Sequence, residues 1–446
     1  MKWRNALLLI AVTGFATAAT ASYAYKSAPR APDSARVVLA PFDRTINAYA
    51  QETLEEGRRI FRFDTFGDEA FWTDVLGLDK AIAGANHGGV GSGVSPKTAL
   101  SLGLKVDMDA LPAALVDQIK AGQVNLDDPA TTLALLKLNA VVGVVGTFDG
   151  ERLRSVGLTC AVCHSTVDDA FTAGIGHRLD GFGNRDLNPG AIVAATPNVA
   201  AVAKELQVDL ATVKKVLNSW GPGKFDAELF LDGKAFRPDG KSAATLIPAA
   251  FGLAGINLHT YTGWGSVPYW NASVANLEMH GVGNFDDDRL SNAKQFPVAA
   301  RAGFAHVRNK VDLITSKLGP LQLYQLSLPV PHLKRVNRAA AARGRAVFNG
   351  AGRCANCHMP PAFSDAGWNL HTGEEICIDN FQANRSPTLR YRTTPLRGLV
   401  AKTKGGFYHD GRYPNLMAVV DHYDSCFKLG LSAGQKSDLV QYLRGR

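Results

Sequence analysis

Cys160-Ala161-Val162-Cys163-His164 and, much later in the chain, Cys354-Ala355-Asn356-Cys357-His358 share one pattern, C-x-x-C-H. It is the pattern of covalent c-type haem attachment: two thiols three positions apart form thioethers with the two vinyl groups of one haem, and the histidine that follows sits under the iron. This composition would produce the pattern by chance roughly 0.002 times, so two copies are a strong signal. A zinc ribbon needs its two cysteine pairs closer together than these are. A thioredoxin-type motif needs a βαβ context that is not evident, and a local disulfide leaves the histidines unexplained. The expected cofactors are therefore two haem c groups, attached through Cys160, Cys163, Cys354 and Cys357, with His164 and His358 as iron ligands.

Working outward, 446 residues are enough for two or three domains, and an apolar content of 46% can form a real core. Lys2 and Arg4 followed by the apolar run Ala6 to Ala19, with Ser22 and Ala24 as small residues, read as a secretory signal spanning 1–24. The run is short for a membrane span, so the expectation is a periplasmic protein with peripheral or no membrane contact; an uncleaved anchor is the rival. Export suits c-type haem and tolerates disulfides, and the two remaining cysteines, Cys377 and Cys426, are expected to pair. The net charge of +8 would steer an acidic redox partner. No nucleic-acid motif accompanies it, so no nucleic-acid partner is expected.

The expected fold is mainly α: two cytochrome c-like haem domains with loop-rich connections and an N-terminal insertion. A leader at 25–43 precedes a first haem domain at 44–325. A linker at 326–337 leads to a second haem domain at 338–446. Helices are expected over Arg44 to Arg62, Leu111 to Ala121, Thr131 to Asn139, from near Asn337, and over Ser432 to Leu443. Gly57-Arg58-Arg59-Ile60-Phe61 is echoed by Gly344-Arg345-Ala346-Val347-Phe348. The second copy runs almost directly into its haem motif; the first does not, which implies an insertion at about 72–150. The glycines from Gly88 to Gly93 read as a turn rather than a phosphate cradle.

The second domain resembles the C-terminal haem domain of bacterial di-haem cytochrome c peroxidases and of their relative MauG. The resemblance rests on Gly344 to Phe348, the second haem motif, Thr394-Pro395-Leu396-Arg397-Gly398, Phe407-Tyr408-His409-Asp410-Gly411 and the linker Tyr324-Gln325-Leu326-Ser327-Leu328. It covers about 320–446 well, the first haem domain loosely and the insertion not at all. It implies that one haem takes electrons from a small redox protein while the other reacts with hydrogen peroxide or another oxidant. In related peroxidases calcium lies between the domains, which makes calcium a candidate here. In the peroxidases a methionine follows the His-Asp-Gly histidine by fourteen residues, and in MauG a tyrosine does; here that position is Tyr423. The resemblance thus implies a tyrosine ligand on the second haem, with His422 and Met417 as rivals. A phenolate favours ferric iron and lowers the potential relative to methionine. Met359 directly follows the proximal histidine and does not reach the far face.

For the first haem the family places a tryptophan-containing turn before a catalytic glutamate. Aligning Trp270 with that tryptophan puts Met279 at the glutamate position and Glu278 one residue early. Either Glu278 does the acid/base work, or Met279 or His280 closes the iron. His177 and His259 are further distal candidates. Arg178 and Arg185 are candidates for the haem propionates, and Trp264 or Trp270 for an electron relay. His87, His306, His332 and His371 lack a supporting motif and read as structural or exposed. The leading expectation is a peroxidase- or MauG-like oxidoreductase. The alternatives are a non-catalytic electron-transfer cytochrome and, less favoured because this chain is shorter, a haem oxygenase of the rubber-oxygenase type.

Overall fold

Several helix starts follow local capping chemistry. Asn337 accepts from the backbone of Ala340 and opens the helix Arg338–Asn349. Ser432 and Gln435 form a reciprocal capping box at the head of Ala433–Arg444. Ser95 and Asp128 cap Pro96–Ser101 and Pro129–Lys137, each with proline in the first turn. This computed structural model describes residues 40–331, 336–365, 367 and 369–446. The expected signal at 1–24, the leader as far as 39, and His332 lie outside the described residues.

The chain divides into a segment ending at Tyr49 and a body from Ala50 to Arg446. The expected helices appear as Pro41–Phe63, Ala113–Lys120, Pro129–Lys137, Arg338–Asn349 and Ala433–Arg444. The architecture is mainly α, with five two-stranded sheets among the described residues. One of these, the antiparallel hairpin of Val144–Asp149 and Arg152–Leu158, carries a register shift between Thr147 and Phe148. It delivers the chain to the first haem motif. A parallel pair joins Val106–Asp107 to Ile175–Gly176, tying the region before that motif to the segment after it. No helix among the described residues is long and apolar enough to cross a membrane.

The echoed pentapeptides occupy equivalent places. A side-chain carbon at Gly57 would run into the Pro320 carbonyl and come within 2.8 Å of the Tyr324 Cβ, on the helix Leu318–Ser327. One at Gly344 would run into the Asp438 carbonyl and come within 2.9 Å of the Tyr442 Cβ, on Ala433–Arg444. Four residues past each glycine a phenylalanine meets that tyrosine. Phe61 and Tyr324 have centroids 5.5 Å apart, and Phe348 and Tyr442 5.2 Å. An ion pair accompanies each crossing: Lys317 with Asp64 at 2.7 Å, and Arg343 with Asp438 at 2.7 Å. Each half is thus clasped by an opening and a closing helix whose backbones touch at a glycine. We expect Gly344→Ala to destabilise the protein by about 1–3 kcal/mol in urea unfolding, since no flexible side chain can yield to the added methyl. A loss under about 0.5 kcal/mol would show the crossing to be looser than drawn.

Apolar clusters follow the same division. One, from Val347 to Leu443, belongs wholly to the second half. Another gathers Ile60, Phe61, Ala161, Phe251, Met279, Leu321 and Tyr324 around the first haem motif. The largest, from Trp72 to Ile247, fills the region that includes the insertion.

Candidate haem sites

At the first motif, the Thr159 side chain accepts from Ala161 N and starts the short helix Cys160–His164. The carbonyls of Cys163 and His164 accept from Asn184 N and Gly181 N, both at 2.8 Å. His164 Nδ1 lies 3.1 Å from the Pro248 carbonyl. An N–H there donates to that oxygen, which fixes the tautomer and leaves the Nε2 lone pair for a metal. Burial lowers the His164 pKa, so the ring is neutral, as ligation requires. Cys160 and Cys163 are not joined to one another. Burial pushes both thiols up to about 12, so neither is a ready thiolate.

The second motif repeats this arrangement on a different backbone. Cys354–Asn356 form one 3₁₀ turn, and His358 Nδ1 lies 3.0 Å from the Phe363 carbonyl. Burial keeps this imidazole neutral too. Cys354 and Cys357 are unpaired, and burial raises both thiols. Free cysteines beside a neutral histidine with one nitrogen anchored to a carbonyl form the donor set for haem c in both places. Met359 is 56% exposed, pointing away from any buried site.

Tyr423 lies on the helix Leu416–Phe427, half-buried, close enough to Cys357 and Cys354 for their charges to act on it. Burial is the main reason its hydroxyl rises to about 12. Its ring is 6.3 Å from that of Tyr408, whose hydroxyl is buried with no hydrogen-bond partner. Tyr408 has a φ of 69°, a costly conformation for a side chain of this size. The rivals are placed less well. His422 has both nitrogens engaged, Nδ1 with Tyr413 at 2.8 Å and Nε2 with the Ile376 carbonyl at 2.9 Å. Met417 is on the exposed face. Cys377 and Cys426 form a disulfide that pins this helix to the Glu374–Ile376 turn.

Glu278 ends a π-helical turn, Val274–Glu278, that continues the helix Val267–Ser273. Met279 N donates to Val274 O, five residues back, so α-helical spacing does not carry through to 278–279. Glu278 Oε2 is buried without a partner. Burial first, then the charges of Glu228, Asp226 and Glu205, push its pKa well up. Its charge reaches Cys163. Met279 is packed in the apolar cluster around Ala161. His280, at φ 59°, stacks on Phe71 at 3.7 Å and is held neutral by burial, with its pKa near 4.

Beneath Glu278 lies a buried charge group that its sequence does not announce. Arg385, fully buried, meets Asp226 at 2.9 Å and grips Asp232 through two bonds of 2.9 and 3.0 Å. Its charge also acts on Glu228. These acids are scattered through an unpatterned stretch, and their arginine comes from the other half of the chain.

The remaining candidates disperse. His177 is exposed and pairs with Asp109 at 2.8 Å. His259 is buried, with Nε2 on the Ile256 carbonyl and Nδ1 unpartnered. Arg178 is buried between Asp107 and Asp180, already matched by carboxylates. Arg185 Nη1 donates to the Lys404 carbonyl. Trp264 and Trp270 pack at 5.1 Å, both with buried, unpartnered Nε1 atoms. His306 and His371 are tied to Asp286 and Asp365. The two acidic groupings of the described residues, Asp286/Asp288/His306 and Cys357/Asp365/His371, lack the all-oxygen donor set that calcium takes.

No protein-family model matches the chain. The methylamine utilization protein MauG of Methylorubrum extorquens is 36% identical over 90 residues, 19% of this chain and 25% of that protein. The chain therefore matches about a quarter of that relative's length. Hydrazine synthase of Kuenenia stuttgartiensis overlays with a TM-score of 0.31 at 15% identity, covering 49% of this chain and 86% of that one. A MauG-like protein associated with microbial copper homeostasis overlays at 0.32 and 15%, covering 48% and 76%. Neither overlay is close enough to bear on fold or activity.

Proposed function

We propose that this chain is an exported, periplasmic di-haem c-type cytochrome, an oxidoreductase of the peroxidase or MauG kind. The observation that carries the proposal is the repeated donor set: two C-x-x-C-H motifs with unpaired cysteines, each with a neutral histidine anchored through Nδ1 to a backbone carbonyl. The stretch of similarity to MauG supports it. Haem bound at these motifs supplies electron storage and an iron site for reaction with peroxide. His164 and His358 would hold the two irons through Nε2. Glu278 would hold and move the proton on the first site, in an environment that raises its pKa well above the ordinary carboxylate range. Tyr423 would ligate at the second. The basic surface favours an acidic redox protein as electron donor or acceptor.

A pyridine haemochrome assay on the purified protein is expected to give two haem c per chain, falling to one in Cys160→Ser/Cys163→Ser. Fewer than two in the wild type would end the proposal. Tyr423→Phe is expected to raise the midpoint potential of one haem and change its spectrum, because a hard anionic ligand to ferric iron is lost. An unchanged spectrum and potential would remove Tyr423 as ligand.

A second reading, a six-coordinate electron carrier without peroxide chemistry, is favoured by His280, an imidazole that burial holds neutral with its pKa near 4. Electron paramagnetic resonance separates the two. A high-spin ferric signal supports catalysis; two low-spin signals that persist after one-electron reduction support the carrier.

A further inference from the structure

Four cations meet where the two halves join, and none has a carboxylate partner among the described residues. Arg185 Nη1 donates to the Lys404 carbonyl at 3.3 Å, and Arg392 Nη1 to Leu258 at 3.0 Å. Arg397 Nη2 donates to the Gly252 and Ala254 carbonyls, the latter at 3.1 Å. Lys402 Nζ reaches the Pro395 carbonyl at 3.3 Å and lies over the Phe251 ring, 5.4 Å from its centroid. The Nε atoms of Arg392 and Arg397 are buried with no partner. The three arginine charges penalise the lysine. Burial, then Arg392, Arg185 and Arg397, push the Lys402 ammonium down to about 7, and burial lowers Arg392 to about 10. Cations whose side chains are buried are matched: Arg385 by Asp226 and Asp232, Arg178 by Asp107 and Asp180. An uncompensated, half-buried cluster of one sign is costly unless an anion completes it.

Its position says which anion. The Pro248 carbonyl anchors His164, and Phe251, Gly252 and Ala254 follow on the same loop. On the other side, Arg392 and Arg397 flank Thr393–Leu396. Leu396 N donates to the Phe363 carbonyl, the same oxygen that anchors His358. Arg185 follows Asn184, whose backbone N–H holds the Cys163 carbonyl. The four cations therefore stand between the supports of the two proximal histidines. A haem carries two propionates on the edge remote from its thioether-forming vinyls, and arginine forks match carboxylates.

We propose that Arg185, Arg392, Arg397 and Lys402 form a shared seat for the haem propionates, holding the carboxylate edges of both haems across the seam between the halves. This rests on the di-haem reading, and haem content tests that reading separately: wild-type protein with fewer than two haems refutes it whatever the variants show. Given two haems, Lys402→Gln and Arg392→Gln are expected to lower the midpoint potentials of both haems in a spectroelectrochemical titration, because a positive charge near the propionates disfavours ferric iron. Lys402→Arg is expected to keep the wild-type values. Unchanged potentials in a fully loaded Lys402→Gln protein would overturn the seat, and a shift in one haem alone would overturn its being shared. Wild-type potentials that move on adding inorganic phosphate would show a free-anion site instead. Should these variants not accumulate, infrared redox-difference spectra of wild-type protein carrying ¹³C-labelled propionates decide the matter. Ionised carboxylates in mildly acidic buffer support the seat, and protonated ones overturn it.

Discussion

Glu278→Gln is expected to lower hydrogen-peroxide turnover by roughly 10²–10⁴-fold, the span typical for removing a positioned acid/base group, with both haem spectra unchanged. Glutamine keeps the shape and polarity of the side chain but cannot exchange a proton. The position is built to hold one: Oε2 is buried without a partner, and the nearby charges of Glu228, Asp226 and Glu205 all oppose ionisation. The measurement is kcat and kcat/KM for peroxide with an artificial reductant, beside absorption spectra of the resting protein. Undiminished turnover would take Glu278 out of the mechanism and leave the first site without an identified proton carrier. Loss of turnover together with a changed first-haem spectrum would point instead to a structural role.

Arg385→Met is expected to cost about 3–5 kcal/mol in urea unfolding near neutral pH, as breaking one side of a buried ion group does. Arg385 is fully buried, and its removal strands Asp226 and Asp232, both also buried. The cost has a pH signature. Burial, partly offset by Arg385, raises Asp226 from 3.8 to about 7. A carboxyl raised on folding contributes stability fully below its unfolded value, and that contribution is lost as pH rises towards the folded one. Without the guanidinium the rise is larger, so the penalty of Arg385→Met is expected to be smaller at pH 4 than at pH 7. A penalty under 1 kcal/mol at pH 7 would mean that water already reaches this group.

What the sequence made legible was local. The two haem motifs, the capped helices at Asn337 and Ser432, and the pairing of Cys377 with Cys426 all follow from residues a few positions apart or from counting thiols. The echo of Gly57 to Phe61 by Gly344 to Phe348 was visible too, but only as a shared beginning. The surfaces these segments press against, Pro320 to Tyr324 and Asp438 to Tyr442, share only a leucine and the tyrosine, too little to announce a repeat. The group at Arg385 was invisible for a similar reason: its partners Asp226 and Asp232 come from a distant part of the chain with no spacing rule. Arg178 and Arg185 looked alike as scattered arginines. The fold separates them, giving one a pair of carboxylates and the other a company of cations. Around Glu278 the register was misleading, because a π-helical turn breaks the count that an alignment assumes.

The two glycine crossings differ in one respect that their matching geometry conceals, the length of chain each must enclose. The ion pairs beside them measure it: Lys317 and Asp64 are 253 positions apart, Arg343 and Asp438 only 95. Closing the longer loop costs about 0.9 kcal/mol more chain entropy, and long-range contacts form later. When the complete chain refolds, the crossing nearest the C-terminus is thus expected to shut first. Pulse-labelled hydrogen exchange should see amides of Val347 and Leu439 protected before those of Phe61 and Leu321.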